Sequence, residues 1–135
     1  MLATRILLAY DGTEQAQRAL DYMIALANLV KAEVGVVSVV PVHAGRIGMD
    51  PWDDSKIHSA ELVEARDRIR EVGLTPSLYE PFGEVADEIV KTATHGGYDM
   101  IVIGSRHMGI VDRILQGSVS QGVALLSPVT VTIVH

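Results

Sequence analysis

The chain has 135 residues, carries 11 Lys plus Arg against 17 Asp plus Glu for a net charge of −6, and contains no cysteine. That composition excludes disulfides, thiolate metal sites and cysteine nucleophiles, and the acidic surplus disfavours binding to nucleic-acid backbones. Hydrophobic residues make up 48% and aromatics only 4%, so the core is aliphatic, and the length predicts one domain, residues 1–135.

Arg5 to Tyr10 reads as a first strand cut by Asp11-Gly12. Thr13 caps a helix that runs to Val30, with Ala16, Ala19, Leu20, Met23, Ala27 and Val30 on one face. Glu33 to Val40 is a second strand, apolar on both faces and therefore central. His43 to Asp54, with Gly45, Gly48 and Pro51, reads as a loop, and Asp54 or Ser55 caps a second helix that Gly73 stops. Thr75 to Tyr79 is a third strand that Pro76 demotes to an edge. Glu84 to Thr94 is a third helix and Met100 to Ile103 a fourth strand. Ile110 to Leu115 suggests a short helical turn, Ser118 to Leu126 a fourth helix, and Val129 to Val134 a last strand. Strict strand–helix alternation predicts right-handed crossovers and a parallel sheet. The longest apolar stretch, around Val34 to Val42, is far short of the roughly 18 residues that span a bilayer. No signal peptide is visible. The expectation is a soluble cytoplasmic protein that engages neither membrane nor nucleic acid.

Ligands of open α/β sheets sit beyond the carboxyl ends of the strands. Three such ends carry suitable chemistry: Ala9-Tyr10-Asp11-Gly12, Val39-Val40, and Gly104 with the loop after it. That loop runs from Gly104-Ser105-Arg106-His107-Met108-Gly109 to Gly117-Ser118-Val119-Ser120. A strand that ends in glycine and reopens as a helix offers unpaired N–H groups and positive partial charge to an anion. The loop lacks the Lys-Ser/Thr of a P-loop, and no G-x-G-x-x-G follows the first strand. Asp11 suits a ribose hydroxyl or a phosphate-bound metal, and equally an Asx-turn before Thr13; the roles can coexist. His43, His58, His95 and His135 lack metal-ligand spacing and read as surface residues. Trp52 reads as local packing or partner contact ahead of a lid over a base. No Ser-His-Asp order and no carboxylate pair stands out as catalytic.

The opening A-Y-D-G-T-E, the Gly104–Ser120 loop and the closing S-P-V-T-V-T-I-V together resemble the universal stress protein family, nucleotide-binding branch, over essentially the whole chain. The loop pattern of that branch is G-x2-G-x9-G-S/T. Gly104 and Gly117-Ser118 match it, and His107 stands at the second glycine. The resemblance implies an open twisted five-stranded parallel sheet of order 3-2-1-4-5, helices on both faces, Rossmann-like. It implies ATP, with Mg or Mn as counter-ion, at the ends of strands 1, 2 and 4. Ala9, Tyr10 and Asp11 would lie near ribose and Val39 at adenine. Gly104, Ser105, Arg106, His107 and Gly109, with Gly117, Ser118, Val119 and Ser120, would surround the triphosphate. It also implies a homodimer through Val129–Val134.

His107 has three open readings: a phosphate donor, an obstruction, or a solvent-facing residue. Arg106 suits a phosphate or the surface, and Arg113 a solvated face. The expected function is an ATP-binding regulatory protein of the stress response with a protein partner that the sequence does not name. The alternatives are a dimeric interaction protein of the same fold that binds no nucleotide, and a slow ATPase, which the absence of a general base disfavours.

Overall fold

The computed structural model describes residues 4–41, 51–105 and 119–135, with the backbone alone over 51–55. In the first strand, β1 (Arg5–Ala9), Ile6 and Leu8 face one side and Leu7 and Ala9 the other, and all four are buried. A strand buried on both faces needs helices on both. On one face α1 (Glu14–Val30) and α2, described from Pro51 to Glu71, pack Leu20, Met23, Leu62 and Ile69 against Ile6, Leu8 and Val36. On the other, α3 (Val85–His95) and α4 (119–126) pack Ile89, Ala93 and Val123 against Leu7, Ala9, Ile101 and Ile103.

The remaining main strands are β2 (Glu33–Val37), β4 (Ser77–Tyr79), β6 (Met100–Gly104) and β7 (Thr130–Val134); two short ones, β3 (Val40–Pro41) and β5 (Phe82–Gly83), pair with each other. The five-stranded sheet has the order β4-β2-β1-β6-β7 and is parallel throughout. Counted along the sheet strands alone this is the expected 3-2-1-4-5, and β4 is an edge as expected, although it begins at Ser77 and leaves Thr75 and Pro76 just outside it.

The second strand departs from expectation. It lapses after Val37 and resumes at Val40, although the register does not change: Val37 faces Tyr79, and Val40 faces Phe82. Ser38 N still donates to Tyr79 O (3.0 Å) and Val40 N to Pro81 O (2.8 Å). A parallel ladder also requires residue 81 to donate to the Ser38 carbonyl, and proline has no N–H. Pro81 therefore opens a two-residue gap at Ser38-Val39. The backbone is already helical at Pro51, so residues 51–54, Trp52 among them, are helix rather than loop; the rest of the expected loop, residues 43–50, lies outside the described residues. The expected helical turn over Ile110–Leu115 and the start of the fourth helix at Ser118 lie outside the described residues.

Candidate functional site

Gaps and turns at the strand ends build the site. β1 stops at Ala9, and Tyr10 N makes the last bond to β2, at Val37 O (3.0 Å). Gly12 then turns the chain at φ 76°, a conformation that favours glycine. Asp11 Oδ1 accepts from Thr13 N (3.1 Å) and Thr13 Oγ1 (2.6 Å), while Thr13 Oγ1 accepts from Ala16 N (3.2 Å) and caps α1. Asp11 is thus held by an Asx-turn, one of its two expected roles.

Because β1 has turned away, the chain of β2 has no strand neighbour on that side at Val39 among the described residues. Ser38 and Val40 donate toward the β4 side, so strand alternation directs the N–H and C=O of Val39 to the open side. The base of a ligand would find a donor and an acceptor there on one residue.

The strand ends enclose a cleft of about 350 Å³, within the range of small-molecule sites. Ala9, Tyr10, Asp11, Val39, Gly104, Val119 and Ser120, all anticipated, line it. Ser105 does not; its N–H donates to Val134 O (2.7 Å), which extends the β6–β7 ladder. Arg106, His107, Gly109, Gly117 and Ser118 lie outside the described residues. Tyr10 is 3% exposed, and its hydroxyl donates to Glu64 Oε1 (3.0 Å) on the α2 side. Burial first, and then that carboxylate, push its pKa up, so it stays neutral.

Eight further residues line the cleft: Thr13, Ala16, Val37, Pro41, His58, Val85, Ile89 and Ile103. Val85 and Ile89 share the apolar face of α3, and Val37 and Ile103 lie at the strand ends; those patterns were visible as core and become wall where the sheet stops. His58 corrects the expectation of a surface residue. Its side chain is 18% exposed, with Nδ1 2.8 Å from Ser38 Oγ and 3.0 Å from Glu61 Oε2. His95 and His135 are exposed, as expected, and His43 lies outside the described residues.

The two ends of the cleft differ. Near β6 lie Gly104, Val119 and Ser120, with the N-terminal end of α1 at Thr13 and Ala16; that helix N-terminus favours an anion. Near β2 the wall is aliphatic apart from His58: Val37, Val39, Pro41, Val85 and Ile89. An apolar slot joined to an anion-favouring end fits a molecule with a flat base and a phosphate. Among the described residues no group of three or more His, Asp or Glu could hold a metal ion, and no helix is long and apolar enough to cross a membrane.

The family model of the universal stress protein family matches residues 3–135. A Thermus aquaticus relative, the universal stress protein in the QAH/OAS sulfhydrylase 3' region, is 32% identical and covers 96% of this chain and 97% of its own. Among solved structures, a universal stress protein in complex with cAMP superposes with a TM-score of 0.77 at 26% identity, covering 100% of this chain and 99% of its own. The universal stress protein from Archaeoglobus fulgidus in complex with dAMP gives a TM-score of 0.77 at 25% identity over 100% of both chains.

Proposed function

The chain belongs to the universal stress protein family, and on that premise we propose that its cleft binds an adenine nucleotide, ATP in the cell, and that occupancy regulates a protein partner. The observation that carries the reading is the opening at Val39, where an unshared backbone edge adjoins an aliphatic slot that leads to the anion-favouring end at Gly104 and Ser120. Two relatives of the same fold hold cAMP and dAMP, which supports adenine as the base. Asp11 would face the ribose or a phosphate-bound Mg or Mn, and Arg106, His107, Gly109, Gly117 and Ser118 would complete the phosphate end with Gly104, Val119 and Ser120.

We also propose a homodimer through β7. It is an edge of the sheet, and the end of α4 leading to it carries Leu125 at 86% and Leu126 at 53% exposure. An edge strand beside exposed leucines is a ready template for a second copy.

Calorimetric titration with Mg-ATP tests the nucleotide reading. Saturable binding at or below millimolar ATP is expected. Its absence would favour the nucleotide-free interaction protein.

A further inference from the structure

At the amino ends of the strands, opposite the cleft, the sheet opens a second time. The β2–β4 ladder begins only at Gly35 and Ser77. Glu33 N donates to Thr4 O (2.9 Å) on the β1 side, so strand alternation turns the N–H of Val34 toward the β4 side. A ladder one step longer would give it the Thr75 carbonyl, and the described residues show no such bond. Thr75 stands outside the strand, ahead of Pro76. A cavity of about 290 Å³ occupies the opening; Arg5, Glu33 and Thr75 line it together with the aliphatic Ala32, Val34 and Leu74.

Two charges of opposite sign stand side by side in that lining. Arg5 Nη1 donates to Glu33 Oε2 and Nη2 to the Gly96 carbonyl (2.9 Å), while the guanidinium lies 4.8 Å over the Tyr98 ring. The fork is thus held on three sides. Each Nη carries a second N–H, and among the described residues neither of these has an acceptor, nor does Glu33 Oε1 have a donor. A simple anion entering the cavity would meet Glu33, and a simple cation would meet Arg5. A ligand that carries both signs close together matches the pair, carboxylate to guanidinium and ammonium to carboxylate. We propose that this cavity binds a free α-amino acid with a small aliphatic side chain. Its carboxylate takes the spare Arg5 N–H groups and the Val34 N–H. Its ammonium takes Glu33, and its side chain lies against Ala32, Val34 and Leu74.

Valine is the probe. An amide NMR titration of the full chain is expected to show saturable shifts at Glu33, Val34, Leu74 and Thr75 with millimolar valine, and none at Val39 or Gly104. The result is therefore separate from the nucleotide reading. Isovalerate, which is valine without the ammonium, and isobutylamine, which is valine without the carboxylate, are each expected to bind about tenfold more weakly, the scale of one charge-assisted hydrogen bond. Glu33→Gln, a change at an exposed side chain, is expected to weaken valine by a similar factor and to bring its affinity close to that of isovalerate for wild type. Three results would each overturn the proposal: no saturable shifts with valine in wild type, either analogue binding as tightly as valine, or undiminished valine affinity in Glu33→Gln. The first two are read on the unaltered chain and do not depend on how any variant folds.

Discussion

A methyl group at position 104 would sit 2.7 Å from the Gln15 carbonyl carbon and oxygen and 3.0 Å from Ala16 N, all of them main chain. β6 therefore ends in glycine because the first turn of α1 crosses it at backbone distance, quite apart from any phosphate. Gly104→Ala is expected to push α1 off β6, lowering stability by about 1–3 kcal/mol and weakening nucleotide binding together. A urea midpoint equal to wild type would contradict the close approach. Gly35 plays a parallel role in the core: a side chain there would collide with the Tyr98 hydroxyl. That hydroxyl pairs with Tyr79 (2.9 Å), and burial, then the Tyr79 bond, push Tyr98 up to about 12. Gly35→Ala should displace Tyr98 and bring its spectroscopic titration back toward the ordinary tyrosine value of about 10; an unmoved titration would contradict the contact.

Asp99 ties two strand starts together. Its carboxylate accepts from Thr4 N (2.9 Å), Thr4 Oγ1 (2.6 Å) and Arg5 N (3.3 Å), clipping the entry of β1 to the entry of β6. Burial alone would raise its pKa, but the bonds from the Thr4 side chain and from the Thr4 and Arg5 backbone outweigh it and hold the carboxyl below 3.8. A depressed folded pKa contributes stability that is present above the unfolded value and lost as pH falls through the folded one. Asp99→Asn is expected to reduce stability at neutral pH and to flatten the fall in stability below about pH 4; an acid limb as steep as wild type would contradict this. The same scale shows what the sequence revealed and what it withheld. The helix from Thr13 to Val30 was legible because a cap and a three-to-four apolar spacing agree. The gap at Ser38-Val39 was not, because its cause, Pro81, lies on another strand and acts only through a cross-strand bond. The helical backbone over 51–54 was misjudged because Pro51 reads as a loop signal.

The whole molecule is a sheet buried on both faces, with a cleft where three strands end and an edge where β7 ends the sheet. If β7 is the seam of a dimer, sedimentation at micromolar concentration gives twice the chain mass; a monomer mass would refute it. The strand order came only from the family resemblance, whereas the parallel sheet followed from alternation, and the strand ends at Ala9, Asp11, Val39 and Gly104 from the rule that ligands sit at carboxyl ends. His58 did not, since only the fold brings α2 over Ser38 and turns a solvent-type residue into cleft wall. The most direct test of the central claim is an amide NMR titration with ATP. The account predicts shifts at Asp11, Val39, Gly104 and Ser120, with Arg5, Glu33 and Thr75 at the opposite ends of the strands unmoved. No shifts at millimolar ATP, or shifts clustered at the opposite end, would contradict it.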